Sequence, residues 1–232
     1  MSGRNPHAGE DPHGDEELVA AGTSVAAADA AVVLVHGRGA TARSIVGFGE
    51  EVSPADGNVA LLAPQAAANT WYPNSFLAPV EENEPGRSSG LRAVGNAVET
   101  ATDAGIAPEN VLVAGFSQGA CLASEFVART PREYGGLAVL SGGLIGESVD
   151  VDDYVSSATA DNGDPDDALD GTPAFLGCSD VDPHIPEERV HETAEVLEVL
   201  GGDVETRIYE GMGHGINADE TERVSAMVAA LA

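Results

Sequence analysis

Residues 115–119 read Gly-Phe-Ser-Gln-Gly, and their flanks constrain the fold more than any other part of the chain. The run before them, VLVAGF, is apolar and of strand length, and the run after them, ACLASEFVAR, carries a helical apolar pattern. A strand that turns this sharply into a helix is crowded at the turn. Glycine on both sides lets the backbones approach, and the central hydroxyl of Ser117 is lifted above the sheet. An ordinary Gly/Ser turn is the alternative, but it explains neither the strand and helix around it nor the residues downstream.

The remaining chain supplies the sheet that such a turn needs. Short apolar runs at 30–36, 59–63, 111–116, 137–140, 173–177 and 204–209 alternate with helical patterns at 41–52, 87–104, 118–129, 186–200 and 219–231. In the 186–200 segment Val190, Ala194, Val196, Leu197 and Leu200 share one side, as in an amphipathic helix covering a sheet. The alternation predicts an α/β fold whose mostly parallel central sheet carries helices on both faces. Two segments break the rhythm. Residues 65–85 set Trp71, Tyr72, Phe76 and Leu77 among Pro and Asn, a long connection of the kind often used for function. Residues 142–172 hold an acidic stretch, DNGDPDDALD, without the glycine and terminal glutamate of a calcium loop, and are expected to be a solvated acidic loop. Residues 1–16 lack any apolar period and are expected to be a disordered acidic tail, leaving 17–232 as one domain.

A serine hydroxyl is a weak nucleophile unless a base takes its proton and an acid holds the base. In a strand–elbow–helix setting the chain order is serine, acid, histidine. Among the histidines, His214 lies in the Gly-rich segment GMGHGIN between the last strand and last helix, where the base is expected. The acid should follow the 173–177 run, where GCSDVDPHIP offers both Asp180 and Asp182. An oxyanion needs two backbone N–H groups: Gln118, after the serine, and Arg38, in the early loop VLVHGRGATA, are the candidates. That loop lacks the G-x-x-x-x-G-K-[ST] pattern of a phosphate cradle. Trp71, Phe76, Leu144 and Ile145 are candidates for an acyl pocket, with the core as their other destination. Cys121 and Cys178 have no metal or redox spacing and read as small core residues.

HGRGAT, APQAAANTWYP, GFSQGACLA, LSGGL, DPHIP and GMGHGI together resemble the phospholipase/carboxylesterase family of α/β-hydrolases, over about residues 18–232. The resemblance implies an α/β-hydrolase fold without a separate lid domain, and the family's D-P-x-[VI]-P pattern selects Asp182 over Asp180 as the acid. It further implies a serine carboxylesterase acting on small carboxylic esters through an acyl-enzyme, with no cofactor and no metal. An acyl thioesterase or lysophospholipase is the alternative of the same family, and a non-catalytic binding protein on this fold the alternative of another class. A dienelactone hydrolase would carry Cys where Ser117 stands.

Charge separates the remaining function classes. Thirty-nine acidic residues face ten basic ones, all Arg, for a net charge of −29. Such a surface repels nucleic acid, which is bound by cations that displace its counterions. Self-repulsion on this scale opposes compaction unless salt screens it, and at 1 M the screening length falls to about 3 Å. The composition therefore predicts a protein of a halophile's molar-salt cytoplasm. The polar, acidic start is unlike a secretory signal and no run of 18 apolar residues occurs, so a soluble intracellular protein without membrane insertion is expected. The partner implied is a small-molecule ester, with a homodimer left open.

Overall fold

The computed structural model describes residues 7, 9–55, 57–158 and 168–231. Seven strands form one sheet in the order β1-β3-β2-β4-β5-β6-β7. Strands β2 (Ala30–Val35), β3 (Val59–Pro64), β4 (Val111–Phe116), β5 (Gly136–Leu140), β6 (Pro173–Ser179) and β7 (Asp203–Tyr209) run parallel, and β1 (Leu18–Gly22) is antiparallel to β3 at one edge. The central strands are apolar almost throughout because both faces are covered. Along β2, Val33 and Val35 point into one core layer, Val32 and Leu34 into the other.

Helices α1 (Ala42–Val52) and α6 (Ala218–Ala229) pack on one face through Ile45, Val46, Val224 and Val228. Helices α2 (Gly86–Asp103), α3 (Gln118–Arg129), α4 (Val151–Ala158) and α5 (Glu187–Val199) cover the other, with Val94, Leu122, Tyr154 and Val196 in its core. Capping boxes start α1 at Thr41 and Ser44 and α6 at Asn217 and Glu220, satisfying N–H groups that a helix's first turn leaves open. The expected strands and helices all form, within a few residues of the expected bounds.

Three expectations need correction. Residues 9–16 are not free tail: His13 is buried, its N–H donates to Ser89 Oγ at 2.9 Å, and its ring bridges the Trp71 carbonyl and the Ala67 N–H at 2.8 and 3.0 Å. These partners lie far away in sequence, so composition alone reads the segment as solvated; residues 1–6 and 8 lie outside the described residues. The acidic 142–172 segment contains α4, whose Tyr154 donates its hydroxyl to the buried carboxylate of Glu125 at 2.9 Å; residues 159–167 of that segment lie outside the described residues. Strand β1, LVAAG, was not expected as a strand. Its small side chains give a weak pattern, and pairing with β3 makes it one.

Candidate active site

Three strands deliver their C-terminal ends to one place. β4 ends in the elbow, β6 leads to residues 180–185, and β7 leads to residues 210–217. At the elbow Ser117 has φ 57° and ψ −123°, a conformation that L-residues rarely adopt and that turns its side chain out of the sheet. The flanking glycines are steric necessities. A Cβ on Gly115 would meet the Gly119 carbonyl oxygen, and one on Gly119 the Val35 carbonyl oxygen, both well under 3 Å.

The hydroxyl of Ser117 lies 2.9 Å from His214 Nε2, and His214 Nδ1 lies 2.7 Å from Asp182 Oδ2. The second oxygen of Asp182 accepts the backbone N–H groups of His184 and Ile185 at 2.8 and 3.1 Å. Burial opposes ionisation of Asp182, but the hydrogen bonds from His214 and these two amides outweigh it and hold the carboxyl below its ordinary range. The neighbouring carboxylate has a different contact. Asp180 Oδ1 accepts the N–H of Gly211 at 2.8 Å, while Ser179 Oγ accepts that of Gly213 at 3.0 Å. Asp180 thus ties the histidine-bearing loop to β6, and Asp182 is the acid in contact with the imidazole. A carboxylate, an imidazole and a hydroxyl in this order can pass the hydroxyl proton to the ring while the acid steadies the resulting cation.

A family profile described as phospholipase/carboxylesterase matches residues 16–232. The chain belongs to that family. A phospholipase/carboxylesterase from Dyadobacter fermentans, known by crystal structure, is 38% identical and superimposes with a TM-score of 0.83, covering 93% of this chain and 97% of its own. Acyl-protein thioesterase 1 of Gibberella zeae is 33% identical over 133 residues, 57% of this chain and 53% of its own length. The chain thus spans about half the length of the curated relatives it matches. Acyl-protein thioesterase 2 of Zea mays, at 16% identity and TM-score 0.67 over 94% of this chain and 100% of its own, shares the fold.

A cleft of about 500 Å³ opens over Ser117 and His214. Arg38 and Gln118, the expected oxyanion donors, both line it, and so does Phe76. Gln118 is the first residue of α3, so its backbone N–H has no acceptor within the helix. Its side chain accepts the Trp71 N–H at 3.0 Å and donates to the Tyr72 carbonyl at 2.9 Å, fastening the elbow to the long 65–85 connection.

The other three pocket expectations are corrected. Trp71 is wholly buried, donates its indole N–H to the His36 carbonyl at 2.8 Å, and supports the cleft from behind. Leu144 and Ile145 lie in the core, their N–H groups donating to Thr193 Oγ1 at 2.9 Å and Glu125 Oε2 at 3.1 Å. The walls instead include Tyr72, Cys121, His184 and Ile185, which sequence reasoning missed. His184 sits inside the DPHIP motif, its ring edge-on to His214 at 4.9 Å, so its place beside the acid was the available signal. Burial pushes the Cys121 thiol up to about 12, which keeps it protonated and unreactive beside the serine. Among the described residues no three His, Cys, Asp or Glu side chains converge as a metal site, and no helix is long and apolar enough to cross a membrane.

Proposed function

We propose that this protein is a serine hydrolase of carboxylic esters, with Ser117 as nucleophile, His214 as general base and Asp182 as its orienting acid. The observation that carries the reading is the unbroken hydrogen-bond path from Asp182 through His214 to Ser117, at 2.7 and 2.9 Å, facing an open cleft. Ser117 Oγ attacks the ester carbonyl as its proton passes to His214 Nε2, and Asp182 stabilises the imidazolium. The backbone N–H groups of Arg38 and Gln118 receive the oxyanion, a contribution of roughly 3–4 kcal/mol for one such donor. Collapse of the tetrahedral adduct breaks the C–O bond to the leaving alcohol, which takes the proton from His214. Water, deprotonated by the same histidine, then releases the acid from Ser117 and restores the enzyme.

Thioester hydrolysis is the second reading, favoured by the names of the acyl-protein thioesterase relatives. The same steps apply with the C–S bond broken and a thiol, carrying the proton from His214, leaving in place of the alcohol. The deciding experiment compares oxygen ester and thioester of one acyl group on wild type and on Ser117→Ala. The serine reading expects turnover to fall by about a million-fold in the variant. Turnover retained by a folded Ser117→Ala protein contradicts it, and the wild-type ratio of the two rates ranks ester against thioester.

The net charge of −29 supports a second proposal, that the protein works in a halophile's molar-salt cytoplasm. Activity should then decline before ellipticity as potassium chloride is dialysed away, and full, stable activity in dilute buffer would contradict this.

A further inference from the structure

In a chain with 39 acidic residues, the cleft over Ser117 has no carboxylate in its wall among the described residues. The one carboxylate of the hydrogen-bonded path, Asp182, has its side chain fully buried behind His214. The wall instead presents the exposed guanidinium of Arg38 and, beside His214, the imidazole of His184. Arg38 is unusual among the described arginines. All the others have a carboxylate within 4 Å except Arg132, which lies over the ring of Tyr134. No carboxylate within 4 Å of Arg38 is found among the described residues.

Backbone groups hold Arg38 in place instead. Its Nη1 donates to the Pro73 carbonyl at 3.1 Å and its Nη2 to the Asn74 carbonyl at 2.6 Å, with the guanidinium 6.0 Å from the centre of the Tyr72 ring. Neutral carbonyls position a cation without cancelling its charge. A guanidinium has five N–H groups, so donors remain beyond the two used here. This cation also stands one side chain away from its own backbone N–H, the proposed oxyanion donor.

We infer that Arg38 selects esters bearing an anionic group, a carboxylate or its chemical equivalent, a few bonds from the scissile carbonyl. This rests on the hydrolase reading above. An uncancelled, pre-positioned cation in a cleft cleared of carboxylates lowers the free energy of such a substrate against the repulsion of the whole surface. The cost of desolvating Arg38 is then met by a charge-assisted hydrogen bond rather than by an intramolecular ion pair.

The test compares each anionic ester with its neutral, isosteric amide. One pair, monomethyl glutarate and methyl glutaramate, puts the group on the acyl side. The other, 3-acetoxypropanoate and 3-acetoxypropanamide, puts it on the alcohol side. Rates are followed by product release in wild type and in Arg38→Met at fixed, high potassium chloride. In wild type kcat/KM should favour the anion by roughly tenfold or more in one of the two pairs, and that pair tells which side of the ester faces Arg38. In Arg38→Met the preference should vanish or invert. A merely structural Arg38, pinning residues 73–74, would lower both members of a pair alike and leave the ratio unchanged. A ratio near one in both wild-type pairs, or a preference that survives in Arg38→Met, overturns the inference while hydrolysis of the neutral amide esters leaves the serine-hydrolase reading standing. Hydrolysis of no ester at all overturns both.

Discussion

His214 and the pair His13 and His36 occupy similar packing and differ in what they touch. His13 and His36 lie 5.2 and 5.0 Å from the Trp71 ring, and His214 lies 5.0 Å from the Phe116 ring. Behind the cleft, each buried ring donates one nitrogen to a carbonyl and accepts a backbone N–H at the other. His36 uses the Gly37 carbonyl at 2.9 Å and the Ala66 N–H at 3.1 Å; His13 uses the Trp71 carbonyl and the Ala67 N–H. A proton on the accepting nitrogen would break a bond that holds the 65–72 segment, and burial lowers the pKa of both rings. At the cleft, His214 meets a carboxylate on one side and a hydroxyl on the other, groups that hold or surrender a proton without loss of the fold. Aromatic packing steadies all three rings. Hydrogen-bond partners decide which of them is placed to act as a base.

That contrast breaks most easily at Asp182. Asp182→Asn replaces the acceptor that orients His214 and should lower turnover by about ten thousand-fold. Asp180→Asn, which alters the Gly211 tether without touching the ring, should cost far less. Turnover of the two purified variants at neutral pH, with circular dichroism as the folding control, distinguishes them. A larger loss at Asp180 would place the working acid in the wrong carboxylate.

A smaller effect comes from Glu220, buried beneath the histidine-bearing loop. Its Oε2 accepts the Asn217 N–H at 2.8 Å, while Oε1 has no partner among the described residues. Burial, aided by Asp219 and opposed by that N–H, raises its carboxyl to about 7. The folded state thus holds a proton that the unfolded chain releases near pH 4.5. Stability from this group falls as pH rises from about 4.5 to 7 and is lost above, by up to about 3 kcal/mol. Glu220→Gln should remove the slope and leave the protein more stable than wild type at pH 8, as read by urea unfolding at pH 5 and pH 8. Equal pH dependence in both proteins would assign Glu220 no such role.

The smallest effect separates the two histidine environments directly. Below about pH 6.5 the unfolded chain protonates histidines that the fold keeps neutral at His13 and His36. The stability they contribute is therefore present above 6.5 and lost as pH falls toward their lowered folded values. His13→Gln should flatten the fall in urea midpoint between pH 6.5 and 5 relative to wild type. An unchanged slope would mean that His13 accepts its proton in place.

How much of this was legible in the sequence follows from how local each determinant is. The elbow could be read because Gly115, Ser117 and Gly119 act through backbone sterics within five residues. His214 could be read because its loop is glycine-rich and correctly ordered after the serine. Asp180 and Asp182 stayed equivalent on residue chemistry alone: two carboxylates two residues apart differ only in the direction each points, and the family pattern separated them. Trp71, Leu144 and Ile145 show the limit for apolar residues, because a buried indole and a cleft wall have the same composition. His184 could have been read from its place in DPHIP, two residues after Asp182, whereas the folded stretch at 9–16 depends on contacts across the tertiary structure, such as His13 with Trp71, which no local pattern carries.

The central claim is that Ser117 is the nucleophile that His214 activates. Its most direct measurement is covalent labelling of the folded protein with a fluorophosphonate, followed by intact mass and peptide mapping. The account predicts a single adduct, located on Ser117, absent in Ser117→Ala and formed far more slowly in His214→Ala. An unlabelled but folded wild type, or an adduct on another residue that persists in Ser117→Ala, would contradict it.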